Sequence, residues 1–190
     1  MARPPEFDRA QALVKALHLF WDKGYERTTV RDLTEAMGIS APSLYNSFGG
    51  KKELFDEAVA EYTDSPMRVI PPGLQERTAR AVFAKILDIA IREYCSDTQP
   101  RGCLVISDPV LIDERQLGRD AIRRRLQQAY DDGDLPADAS VDALTDYVDV
   151  VLRGLSAIAR DGADADAMRA AADVALRAWP RARRRATRDS

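Results

Sequence analysis

Residues 29–48 read TVRDLTEAMGISAPSLYNSF, and this stretch decides the fold. Thr28 and Thr29 can cap a short helix, with Asp32 three residues after Thr29 as a capping-box-like partner at the positive end of the helix dipole. Gly38 ends that helix. Ser40 can cap a second, in whose first turn Pro42 loses little by lacking an N–H. Leu33, Met37, Ile39 and Leu44 supply the apolar contacts that would lock the two helices across the turn. That pattern is the skeleton of a helix-turn-helix, in which the second helix leaves its outer face free for a major groove about 12 Å wide. Here that face carries Ala41, Ser43, Asn46 and Ser47, small enough for close approach. An asparagine there can pair with an adenine edge, and a serine can contact either base type.

Working outward, donors for phosphate flank the second helix at Thr28, Arg31, Tyr45 and Lys51. Lys51 follows Gly49-Gly50 and opens a further helix, so its charge adds to free backbone N–H groups. Bulk charge argues the other way. The chain carries a net charge of −3, and its first 62 residues hold eight Lys and Arg against ten Asp and Glu. Only a local patch, Arg27, Arg31, Lys51 and Lys52 against Asp32 and Glu35, reverses that sign. Any attraction to a polyanion therefore depends on arrangement. Upstream, Phe7, Ala10, Leu13, Leu17 and Phe20 form one amphipathic stripe that Gly24 stops. Downstream, KKELFDEAVAEY is amphipathic through Leu54, Phe55, Ala58, Val59 and Tyr62, before the breaker SPMRVIPPG places a boundary at residues 63–73.

The remaining chain predicts helices over about 74–95, 110–132, 140–162 and 164–179, with a short one after Gly102. The fold class is thus all-α, with about nine helices: a three-helix helix-turn-helix unit followed by a helical bundle. Of the 190 residues 45% are hydrophobic and 31% charged, a soluble globular balance. No apolar run approaches the ~20 residues that span a bilayer, and the opening MARPPEFDRA lacks a signal peptide's apolar stretch, so the expected compartment is the cytoplasm with no membrane partner. Two cysteines and the single His18 leave no zinc framework, and no cofactor is expected. No nucleophile–base set or phosphate loop marks an enzyme.

In the second half, Tyr94, Tyr130, Tyr147 and Trp179 are candidates to line a ligand cavity, the alternative being simple packing. Cys103 follows Arg101-Gly102 at a helix start, where a cation and free amides would make a thiol reactive. Its alternative is a small buried hydrophobe, as for Cys95. Val148, Val151, Leu152, Leu155 and Ile158, with Gly154, Ala171, Ala172 and Ala175 nearby, suit either an interior or a seam between two copies. The basic tail RARRRATRDS, residues 181–190, reads as a solvated, frayed terminus.

The order KGYERTTVRDL, GIS, LYNSF, KKELF resembles the N-terminal domain of the TetR/AcrR family of bacterial regulators over residues 6–66. RGCLVI followed by Asp-Pro is similar to a loop-and-helix segment of one subset of that family. The resemblance implies a repressor that pairs with itself through the last two long helices. It implies a near-palindromic double-stranded operator, released when a small-molecule effector enters a second domain at 74–180. Carried over by position, the expected DNA-binding set is Thr28, Thr29, Arg31, Ser40, Ala41, Ser43, Tyr45, Asn46 and Lys51. Two positions depart from the family pattern: Thr34 stands where alanine is usual, and Gly50 replaces the usual polar cap before Lys51. The competing reading is a helical adaptor that uses the same corner to bind protein partners.

Overall fold

A computed structural model describes residues 8–64 and 69–181, and every regular element among them is helical. Helix α1 (Arg9–Lys23) starts where the Asp8 side chain accepts the Gln11 N–H, and it buries one stripe, Ala12, Leu13, Ala16, Leu17, Phe20 and Trp21. Gly24, at φ +82°, turns the chain and donates its N–H to the Phe20 carbonyl. Next come α2 (Val30–Met37), α3 (Ala41–Phe48) and α4 (Lys51–Asp64). Helix α1 lies across both α2 and α4. Phe20 meets Phe55 edge-to-face with centroids 5.0 Å apart at the centre of this unit.

Beyond residue 68 come α5 (Ile70–Gly73), α6 (Ala79–Tyr94), α7 (Leu104–Ser107), α8 (Ile112–Asp131), α9 (Val141–Arg160) and α10 (Ala165–Ala178). Ten helices are therefore present among the described residues, against the nine or so expected. The difference lies in the predicted breaker. Pro71 and Pro72 fall in the first turn of α5, where a missing N–H is tolerated, and a Cβ on Gly73 would overlap Ile86 of α6. The helix expected from residue 74 begins instead at Ala79, because Thr78 caps it by accepting the Ala81 N–H. Residues 182–190, most of the basic tail, lie outside the described residues.

Helix α6 is buried on nearly all sides, with Val82, Phe83, Ile86, Leu87, Ala90 and Tyr94 almost inaccessible, and it packs against α5, α9 and α10. The core runs without interruption from α1 into α6 and α9. Helix α7 joins the two halves, touching α1, α8 and α9. The turn before it runs so close to α9 that a Cβ on Gly102 would lie 2.9 Å from the Ser156 carbonyl oxygen. With φ +82° as well, this position calls for glycine on two counts.

Candidate DNA interface and effector cavity

The capping box forms as the spacing predicts. The Thr29 side chain accepts the Asp32 N–H, and Asp32 accepts the Thr29 N–H at 2.8 Å. Lys23, from the last turn of α1, binds the same carboxylate at 2.8 Å and pins α2 to α1. These contacts, Lys23 first and then Thr29, hold the Asp32 carboxyl well below the usual carboxylate range. Gly38 makes the turn at φ +73°, and Leu33, Met37 and Leu44 are buried beneath it, with Ile39 half-buried. In α3, Ser40 accepts the Ser43 N–H and the two hydroxyls lie 2.9 Å apart. Ala41, Tyr45 and Asn46 are exposed, Tyr45 by 52%. The outer face of α3 is thus presented to solvent on a backbone fixed from behind.

Not every expected contact residue reaches that surface. Thr28 is a correction: only 1% exposed, it donates its hydroxyl to the Gly24 carbonyl at 2.7 Å and locks the turn after α1, so it is not a surface phosphate donor. Thr29 is exposed, but its N–H and its hydroxyl are both committed to Asp32. Arg31 is exposed and paired through Nε to Glu35 at 2.8 Å, and Lys52 pairs with Asp56. Arg27 and Lys51 have no carboxylate partner among the described residues. Arg27 donates to the Lys23 carbonyl, and the Lys51 ammonium sits 4.2 Å from the centroid of the Tyr25 ring. The Gly50 departure also has a local cause. Glu53 folds back over the Gly49–Gly50 turn, and a Cβ at Gly50 would come within 2.9 Å of its carboxylate.

Arg9 is a residue the sequence did not single out. Its guanidinium binds Glu57 of α4, donates to the Ser47 carbonyl at the end of α3, and lies 4.4 Å from the centroid of the Phe48 ring. It braces α3 against α1 and α4. Nothing in the local pattern around Arg9 signals this, because its partners are 38 and 48 residues away.

A cavity of about 350 Å³ lies between the C-terminal end of α4 and helices α6, α7, α8 and α9. Tyr94 lines it, as expected, together with Cys103, Tyr62, Ile106, Ile122 and Leu152. Tyr130 and Tyr147 do not. Tyr130 donates to the Ala137 carbonyl and ties down a loop. Tyr147 donates to the Ala175 carbonyl and packs with Phe83 and Trp179 between α6, α9 and α10. Both phenols are taken up by structure. Cys103 is buried, its N–H donates to Ser156 Oγ at 3.0 Å, and its sulfur receives the Tyr62 hydroxyl at 3.3 Å. Cys95 lies elsewhere, 3.1 Å from the Met168 sulfur, and both thiols are free. His18 is half-buried and burial pushes its pKa down.

The cavity wall is tied to the α1–α4 unit by two polar links that the sequence reading missed. Asp108, just past α7 and 2% exposed, accepts the Tyr25 N–H at 2.6 Å. Arg160, at the end of α9, donates to the carbonyls of Trp21 and Asp22 at the end of α1. Arg115 fixes the same loop through the carbonyls of Val105 and Asp108.

A family model described as "Bacterial regulatory proteins, tetR family" matches residues 12–58, which contain α2 and α3. The HTH-type transcriptional repressor ComR of Escherichia coli K12 is 31% identical over 94% of this chain and 91% of its own length. The chain belongs to the TetR family. The uncharacterized HTH-type regulator YezE of Bacillus subtilis 168 is 32% identical over 93% of this chain and 98% of its own. Among solved structures, a cysteine mutant of the TetR family transcriptional regulator CifR, complexed with 26bp double-strand operator DNA, superposes with a TM-score of 0.85. It is 37% identical and covers 94% of this chain and all of its own. TetR-family proteins are transcription regulators, and no helix among the described residues is long and apolar enough to cross a membrane.

Proposed function

We propose that this TetR-family protein is a cytoplasmic transcriptional repressor, not an enzyme, that binds a near-palindromic operator as a homodimer and releases it when a small molecule fills the cavity. The observation that carries the reading is the outer face of α3. Ala41, Tyr45 and Asn46 are exposed on a short helix whose backbone is capped by Ser40 and braced by Arg9, beside Lys51, whose ammonium rests over the Tyr25 ring and has no carboxylate partner among the described residues. In this assignment Asn46 and Ser43 read base edges, while Arg31, Tyr45 and Lys51 position the protein on phosphates. The likeness to operator-bound CifR supports it. Residues 6–66 serve as the DNA-binding domain, and 74–180 as the effector and pairing domain.

Pairing is supported by an exposed apolar strip on α9 and α10 that no other described residue covers. Val150 and Val174 are 65% and 58% exposed, and Gly154, Ile158 and Ala171 beside them are also exposed. Such a strip on two neighbouring helices suits a two-fold interface. Release is supported by the links around Asp108. A molecule that displaces Val105 and Ile106 moves the loop that holds Tyr25, and with it the ring under Lys51.

Footprinting on DNA from upstream of the protein's own gene, with sedimentation of the free and bound protein, tests this reading. The expected result is a dimer protecting two half-sites about 34–36 Å apart. A monomer in solution, or uniform coating of any duplex, contradicts it.

A further inference from the structure

We propose, resting on the assignment of base reading to the outer face of α3, that Arg9 is a positioning residue for specificity: it fixes the C-terminal end of α3, and with it the amide of Asn46, in the register that reads a base edge. Arg9 is the first residue of α1 and makes three ties at once. Its two terminal nitrogens donate to the two carboxylate oxygens of Glu57 on α4. Nε and Nη2 also donate to the Ser47 carbonyl, at 3.3 and 3.2 Å. The guanidinium lies 4.4 Å from the centroid of the Phe48 ring, and Phe48, the last residue of α3, is only 6% exposed. A carboxylate that takes a guanidinium in two parallel bonds holds it in one orientation. Ser47 belongs to the last turn of α3, where a helix leaves carbonyls without an intrahelical N–H, and a cation there suits the negative end of the dipole.

The two ends of α3 are thus held by different means. The N-terminal end follows the Gly38 turn and carries the Ser40 cap, both inside the motif itself. The C-terminal end leaves through Gly49-Gly50, two residues with little conformational preference of their own, and is tied by a side chain 38 positions away. Asn46 is exposed, and the next residue in the chain is the one whose carbonyl Arg9 holds. An amide that pairs with a base edge must meet both distance and angle, so a small shift of this end costs it the contact. Ala41 and Ser43 lie beside the Ser40 cap and keep their place without Arg9. The Arg9 charge is paired with Glu57 and about half exposed. Exposed ion pairs add little to stability, so what goes with Arg9 is the placement of α3 more than the fold.

The test takes the full-length protein and the footprinted duplex from upstream of its own gene, substitutes each base pair of the half-sites in turn, and reads affinity by fluorescence anisotropy. Asn46→Ala identifies the pair that Asn46 reads, as the one where native protein discriminates about tenfold or more and the variant does not. Arg9→Met is expected to cut discrimination at that same pair to about threefold or less, with the pairs read nearer the N-terminus of α3 and the salt slope unchanged. Glu57→Gln removes the carboxylate that orients the guanidinium and should at least halve discrimination at that pair. Circular dichroism verifies folding, and if Arg9→Met does not fold, Glu57→Gln decides. Native discrimination at the Asn46 pair in the folded variant overturns the proposal. So does equal relaxation at every pair, which marks a merely structural role. Uniform weakening with a salt slope lower by about 1 also overturns it, because Arg9 would then be a phosphate contact. Relaxation in Asn46→Ala but not in Arg9→Met refutes only the role of Arg9. If Asn46→Ala changes no base preference, the base-reading assignment fails and this proposal with it.

Discussion

Helices α2 and α3 and the cavity wall satisfy their polar groups in opposite ways. In the helix-turn-helix the partners are three or four residues apart: Thr29 with Asp32, Arg31 with Glu35, Ser40 with Ser43. Around the cavity they are remote, with 41 residues between Tyr62 and Cys103, 53 between Cys103 and Ser156, 83 between Tyr25 and Asp108 and 139 between Trp21 and Arg160. The side-chain caps of the first region are set within one helical turn, with Lys23 and Arg9 of α1 adding the longer ties to Asp32 and the Ser47 carbonyl. The second holds its shape only while distant helices stay in register, which is what a switch requires, since it must have two arrangements that a ligand can bias.

The sharpest way to break this contrast is Asp108→Ala. It strips the acceptor from the Tyr25 N–H in a buried setting, and about 3 kcal/mol of stability should be lost, lowering the thermal midpoint by roughly 6–12 °C. Operator affinity should fall with it as Tyr25 and Lys51 lose their support. Thr29→Ala, by contrast, removes a local cap and should cost about 1 kcal/mol, seen as a smaller shift in the same melting experiment. If the two substitutions cost the same, the distinction between local and remote ties fails.

Glu35→Gln leaves the fold untouched and frees Arg31, so operator binding should tighten about threefold at low salt, as read by fluorescence anisotropy. The smallest effect concerns Asp32. Its folded carboxyl is held low, so the stabilisation it brings is complete above the unfolded pKa of about 3.9 and is lost as pH falls through the lower folded value. Lys23→Met removes the largest cause, and carboxyl NMR should show Asp32 titrating nearer its ordinary range.

The same contrast explains what could be read from the chain. The cap at Thr29, the turn at Gly38 and the buried Leu33, Met37 and Leu44 follow from spacing within one or two helical turns, and all were legible. So was the order of the long helices. Thr28 was misassigned because two adjacent threonines offer equal caps on paper, and only packing under Gly24 decides which faces inward. Tyr130 and Tyr147 were indistinguishable from Tyr94 in sequence, since which aromatic faces a cavity depends on helix rotation against partners far along the chain. Tyr62 was legible as a core residue of α4, but its phenol finds Cys103 only once α7 is folded across it. Asp108 stood out only as part of the Asp-Pro after RGCLVI, with nothing to point to Tyr25, and Arg160 had no local signal at all.

In the proposed function a few placed contacts on α3 and its flanks read DNA without help from bulk charge, the chain being net −3. The direct test compares affinity for the protein's own upstream DNA with that for a shuffled duplex of the same composition across a range of salt concentrations. A preference of about 10³-fold or more is expected near physiological salt, with a salt slope that drops by about 1 in Lys51→Met. Equal affinity for the two duplexes, or a slope unchanged by that substitution, would contradict it.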